Sequence, residues 1–185
     1  GTVGFPLPGV DARIVDDEGQ VVASGEVGNL QVKGANVFAG YWRMPEKTAE
    51  EFTEDGFFKT GDMAMQNQQG YISIVGRDKD MVITGGFNVY PKEIELEIDE
   101  LPGVLESAVI GLPHPDFGEA VSAVVVASDH ALLPDEAQMI QLLKKQLASF
   151  KVPKRIFVLE ALPRNTMGKV QKNLLREQYK HTFQG

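Results

Sequence analysis

Apolar and polar residues alternate in short runs through roughly the first 75 positions, and a period of two predicts strands rather than helices. Residues 12–16, 21–23 and 30–34 are strand candidates, separated by turns containing Asp, Gly and Asn. Asp17-Glu18-Gly19 predicts a hairpin turn between the first two. Residues 45–52 predict one short helix, with Pro45 in its first turn and acidic residues early. Residues 57–60 and 71–75 return to strand. So short a β-rich stretch buries little apolar surface by itself. Residues 1–78 are therefore expected to complete a larger domain that begins upstream.

From about residue 79 the period changes. Residues 81–84 predict a strand stopped by Gly85-Gly86. Residues 91–101 predict a helix, with Pro91 at its first position and Ile94, Ile98 and Leu101 on one face. Residues 105–111 and 120–127 predict two apolar strands, the second rich in Val. Residues 134–150 predict an amphipathic helix in which Ile140, Leu143 and Leu147 recur at helical spacing. A strand over 154–158 and a last helix after Lys169 complete the pattern. Helices alternating with a few strands predict a compact α+β domain over residues 79–185. At the junction, Arg77, Asp78, Lys79 and Asp80 place four charges between two strand-like runs. That run is compatible with an exposed turn, with a hinge and with a ligand contact.

Composition narrows the class. Apolar residues at 43% and charged residues at 24% are ordinary for a globular chain. No run approaches the roughly 18 apolar residues of a membrane span, and no signal peptide is expected. The absence of cysteine excludes disulfides, thiolate metal sites and cysteine nucleophiles, and favours a cytoplasmic setting. The chain starts at Gly1 without methionine and runs at once into strand-like sequence, which reads as part of a longer protein. The net charge of −8 is unevenly spread: residues 144–180 hold ten Lys/Arg against two acids, and residues 1–143 hold eight against twenty-four. A basic segment on an acidic protein suits a small polyanion such as a nucleotide or CoA. The simpler reading places Lys144, Lys145, Lys172, Arg176 and Lys180 on solvated helix faces. A pI of about 4.9 argues against nucleic acid as a partner.

Three residues carry candidate chemistry. Lys169 follows Gly168 on the loop Pro163-Arg164-Asn165-Thr166-Met167-Gly168-Lys169, where a glycine turn presents a mobile charge to a phosphate or carboxylate oxygen. The loop is not a Walker loop, because Pro163 replaces the required first glycine and Val170 stands where Ser or Thr belongs. Asp62 ends the run Phe57-Phe58-Lys59-Thr60-Gly61-Asp62, where a carboxylate is either a turn former or an acceptor for a vicinal diol. Arg77 offers a fixed fork of donors for ribose or phosphate oxygens, or a surface ion pair with a neighbouring acid. His114, His130 and His181 show no metal-ligand spacing, so no metal site is expected in this chain.

Four blocks together resemble the C-terminal third of the acyl-CoA synthetase, or adenylate-forming, superfamily. They are GYWRMPEKT from Gly40, GFFKTGD from Gly56, GRDKDMVITGGFNVYPKEIE from Gly76 and LPRNTMGKVQK from Leu162. They stand in the family's order across essentially the whole chain, and residues 85–93 and 165–167 most resemble malonyl-CoA synthetases. The resemblance implies an α+β fold in which the β-rich end of a large N-terminal domain precedes a mobile C-terminal lid. It implies a carboxylate–CoA ligase with ATP and CoA as substrates and Mg2+ accompanying ATP, its ligands outside this chain. By position, Asp62 would hold the ribose hydroxyls and Arg77 would contact the ribose. Lys169 would bridge the substrate carboxylate and the adenylate phosphate, and Lys79 would be the hinge. Gly85 and Gly86 would line the pantetheine passage, and Asn88 and Lys144 fall where relatives contact CoA. A ligase for malonate or a methyl-branched analogue stands beside a fatty or aromatic acid–CoA ligase, a carrier-loading enzyme and a non-catalytic binding module.

The phosphate loop and acyl pocket of such enzymes belong to the expected upstream domain. The 185 residues alone are therefore expected not to catalyse adenylation. Carboxylate-dependent exchange between ATP and pyrophosphate measures this directly; exchange above background by the isolated chain would refute it.

Overall fold

Four strands with alternating burial build the first half of the chain. The computed structural model describes residues 2–128 and 132–184, so His130 lies outside the described residues. The chain divides into two compact units, Gly1–Lys79 and Asp80–Gly185. In the first, β1 (Val10–Val15), β2 (Val27–Gly34), β3 (Phe58–Gln66) and β4 (Ile72–Arg77) form an antiparallel meander in that order. Ile14, Leu30, Ala64 and Ile72 make its small core, as the period of two requires. The expected turn at Asp17-Glu18-Gly19 is present: Gly19 has φ +81°, and the Gln20 amide donates to Asp16 Oδ1 at 2.8 Å. Residues 21–23 do not form a strand. One bridge joins Val15 to Val21, and the Gly25 amide then bonds the Gln66 carbonyl at 2.8 Å, drawing the chain away from β1. Helix α1 (Pro45–Glu51) is close to expectation.

The second unit is organised by a long antiparallel hairpin of β7 (Val104–His114) and β8 (Gly118–Ala127). The sheet order is β6 (Phe87–Val89), β5 (Val82–Thr84), β8, β7, and β9 (Arg155–Leu159) pairs parallel with β8. The parallel pair is connected through α3 (Glu136–Leu143), as a parallel crossover requires. Val109, Val121, Ala123 and Val125 pack with Ile94 and Ile98 of α2 (Pro91–Asp99) and Met139 and Leu143 of α3. The alternate residues Ala108, Ile110, Leu112, Val124 and Val126 pack with Leu175 of α4 (Lys172–Tyr179). Helices thus cover both faces of the sheet. This explains why β8 is buried without interruption from Ala120 to Val126 and is mostly apolar rather than alternating.

Helix α3 is shorter than the spacing predicts. Asp135 starts it with a reciprocal capping box to Gln138, at 2.8 and 3.1 Å. The amides of Lys145 and Gln146 then bond three residues back, to Leu142 and Leu143. This tighter last turn ends the helix and still places Leu147 in the core beside Val152. The apolar spacing that suggests a continuous helix thus comes from a turn that serves the same core.

Leu143 is fully buried, whereas Leu105 is 62% exposed on the same unit. Leu143→Ala is expected to cost about 2–5 kcal/mol in urea unfolding. Leu105→Ala should stay within about 0.5 kcal/mol.

Candidate functional site

In the first unit the β3–β4 ladder brings two candidates together. Asp62 and Arg77 are register partners, and Arg77 Nε lies 3.0 Å from Asp62 Oδ1. Gly61 has φ +69°, a conformation costly for any side chain that carries a Cβ. That turn lets Arg77 Nη1 donate to the Thr60 carbonyl at 3.0 Å. Thr60 is itself held, because its hydroxyl donates to the Leu30 carbonyl at 2.9 Å and accepts the Asp62 amide at 3.1 Å. The carboxylate and guanidinium are both partly open to solvent. Each therefore keeps free hydrogen-bonding capacity beside the other, suited to a polyol and an anionic oxygen.

In the second unit, residues 163–171 form a pinned loop. Arg164 and Val170 make an isolated bridge, and the Asn165 amide donates to the Lys169 carbonyl at 2.9 Å. Asn165 Oδ1 accepts from the amides of Met167 and Lys169, at 3.0 and 2.9 Å. Gly168, at φ +77°, closes the turn by donating to the Asn165 carbonyl at 2.9 Å. Arg164 Nη1 donates to the Gly168 carbonyl at 2.6 Å, and Nη2 is ion-paired with Glu106 of β7. At the far end Lys172 Nζ lies 2.6 Å from the buried Glu95. Lys169 is exposed, and among the described residues its ammonium has no partner. The loop thus fixes the backbone of Lys169 while leaving its charge unspent.

The remaining candidates occupy distinct places. Gly85 and Gly86, at φ +56° and +82°, form the two-residue turn of the β5–β6 hairpin. Two successive positive φ values are what such a turn needs. Asn88 is exposed on β6 of that hairpin, opposite Ile83. Lys144 ends α3 and borders a groove of about 490 Å³ with Ile140, Leu147, Val152 and Lys154. Lys79 is exposed in a single tight turn, Asp78–Asp80, where the first unit ends.

Two lysine and arginine assignments change. Lys172 does not lie on a solvated face: it pairs with Glu95 Oε1, the same oxygen that accepts the Val109 amide at 2.9 Å. Arg176 pairs with Asp80 at 2.9 Å, tying α4 to the start of the second unit. Asn165 and Glu95 are structural residues to which the sequence motifs assign no role. Glu95 had a signal in the sequence, because it falls on the helical face of Pro91 and Ile98. Among the described residues no group of three or more His, Asp or Glu is placed to hold a metal ion. No described helix is long and apolar enough to cross a membrane.

Comparison with known proteins finds relatives across nearly the whole chain. Residues 93–169 match the AMP-binding enzyme C-terminal domain, and residues 1–42 match the AMP-binding enzyme family. A malonate–CoA ligase of Arabidopsis thaliana is 44% identical over 187 residues, covering 96% of this chain and 30% of the relative. A long-chain-fatty-acid–CoA ligase of Salmonella typhimurium is 42% identical over 178 residues, covering 96% and 31%. The crystal structure of ATP-bound MatB from Rhodopseudomonas palustris superimposes with a TM-score of 0.93 at 60% identity, covering 99% of this chain and 36% of that one. The chain therefore spans 30% and 31% of the length of these two curated relatives.

Proposed function

Because the chain belongs to the AMP-binding superfamily of adenylate-forming enzymes, we propose that it is the C-terminal part of a carboxylate–CoA ligase. The observation that carries this reading is the ammonium of Lys169, unpartnered among the described residues, on a loop whose flanking cations Arg164 and Lys172 are ion-paired. In the first step a carboxylate oxygen of the acid attacks the α-phosphorus of ATP, and the bond to pyrophosphate breaks. Lys169 bridges the attacking carboxylate and the α-phosphate, while Asp62 accepts from the ribose hydroxyls and Arg77 donates to the ribose. In the second step the CoA thiol gives its proton to solvent, sulfur attacks the acyl carbon, and the bond from that carbon to the phosphate oxygen breaks to release AMP. Gly85 and Gly86 line the approach of the pantetheine arm, and Asn88 and Lys144 contact CoA.

Coulomb's law gives Lys169 its selectivity between states. A unit-charge pair at about 4 Å is worth about 1 kcal/mol in water and about 4 kcal/mol at an effective dielectric near 20. The lysine contributes little on an open loop and much in a drier, closed site. A second unit that turns about Lys79 would bring Lys169 in for adenylation and withdraw it for thioester formation. Mg2+ enters with ATP as part of the substrate, held by groups outside this chain. The setting proposed is the cytoplasm.

For the acid we propose malonate or a methyl-branched analogue. The identity to the Arabidopsis malonate–CoA ligase and the likeness of residues 85–93 and 165–167 to malonyl-CoA synthetases support it. A fatty acid is the second reading, favoured by 42% identity to the Salmonella long-chain ligase. The test is acid- and CoA-dependent release of AMP by the full-length enzyme with malonate, methylmalonate, acetate and a medium-chain acid. Turnover highest with malonate or methylmalonate is expected. Preference for the medium-chain acid would replace the substrate, and release of AMP only with a carrier protein would replace the acceptor.

A further inference from the structure

Strand β5 has only three residues, and it meets β8 through a single register pair, Thr84 with Gly118. The base of the hairpin is held by the buried side chains of Val82 and Val89 in the core, which leaves the Gly85-Gly86 tip to be fixed by backbone bonds. Two such bonds are present. The Gly85 amide donates to the Phe117 carbonyl at 2.9 Å, and the Ile83 amide donates to Glu119 Oε2 at 2.8 Å. Among the described residues Glu119 has no ion-pair partner, so this carboxylate charge is directed at one backbone amide. A charge-assisted bond of this kind is roughly twice as strong as a neutral one.

The seat of that carboxylate is shaped by β7. A Cβ added at Gly111 would lie 2.5 Å from Glu119 Oε1, 2.8 Å from its carboxyl carbon and 3.0 Å from Val82 Cγ1 of β5. Gly111 is buried and its backbone does not need positive φ, so the glycine is explained by the space that Glu119 and Val82 occupy. Ile83 is 51% exposed, so its side chain does not anchor the strand. The brace therefore runs from Gly111 through Glu119 to the Ile83 amide and on to the glycine tip two residues away.

We propose that Glu119 is a positioning residue for the CoA half-reaction: it fixes the Gly85-Gly86 hairpin through the Ile83 amide, in a seat kept open by Gly111. This rests on the assignment of that hairpin to the pantetheine approach. A carboxylate that merely caps a strand edge would change stability alone. One that sets the hairpin should change the use of CoA selectively, because a misplacement of about 1 Å can cost about 10²-fold.

The experiment compares Glu119→Ala, Glu119→Gln and Gly111→Ala in the full-length enzyme. Adenylate formation and thioester formation from preformed adenylate are measured separately, together with hydrogen exchange at the Ile83 amide. For Glu119→Ala the expected result is a rise of about tenfold or more in KM for CoA, unchanged adenylate formation and faster exchange at Ile83. Glu119→Gln, which keeps an oxygen acceptor, should restore most of both properties. Gly111→Ala, which crowds the carboxylate and also Val82 while leaving Glu119 in the sequence, should shift both properties in the same direction as the alanine variant. An unchanged KM for CoA, or equal loss of both half-reactions, overturns the proposal. Unchanged exchange at Ile83 also overturns it. If the unsubstituted enzyme carries out neither half-reaction, the CoA assignment fails, and the exchange result still decides for or against the brace.

Discussion

Glu95 lies on the apolar face of α2, and removing its charge from water costs several kcal/mol unless a cation and a donor meet it. Both are present: Lys172 Nζ at 2.6 Å from the start of α4, and the Val109 amide at 2.9 Å from β7. One carboxylate thus joins three elements. It also satisfies an amide on the edge strand of the sheet, where an unpaired donor would invite pairing with another chain. Removing Lys172 alone would leave the carboxylate buried and uncompensated, so the three elements depend on this pair even if a wholly apolar replacement would pack as well.

The loop bearing Lys169 is suspended from that junction. Lys172 fixes its exit, Arg164 ties its entrance to Glu106, and Asn165 fills its interior with two backbone hydrogen bonds. All of this machinery immobilises backbone, and none of it touches the Lys169 ammonium. A group meant to meet charge that appears only in a reaction should be held in this manner, oriented in advance without being neutralised. The same logic applies in the first unit. There the Asp62–Arg77 pair is set by strand register and a glycine bulge, yet both side chains remain partly open to solvent.

Much of this was legible in the sequence where local chemistry decides. The period of two, Pro91 at the head of α2, the Asp17-Glu18-Gly19 turn and the Val-rich β8 all follow from short-range rules. Glycine beside Lys169 and beside Asp62 marked positions where the backbone must turn. Long-range pairing was the part that could not be read. Glu95 and Lys172 are 77 positions apart, and Arg176 and Asp80 are 96 apart. Each cation in isolation looks like an ordinary solvated helix residue. The apolar spacing overstates the length of α3 for a related reason: Leu147 keeps helical spacing because the core demands an apolar residue there, and a turn supplies it as well as a helix would.

The central claim is that Lys169 is a charge prepared for one half-reaction and not needed for the other. The most direct measurement is single-turnover kinetics of Lys169→Ala in the full-length enzyme, with adenylate formation and thioester formation from preformed adenylate followed separately. The account predicts that adenylate formation falls by about 10²–10³-fold, as when a preorganised donor is removed, while thioester formation is retained. Equal loss in both half-reactions would contradict it.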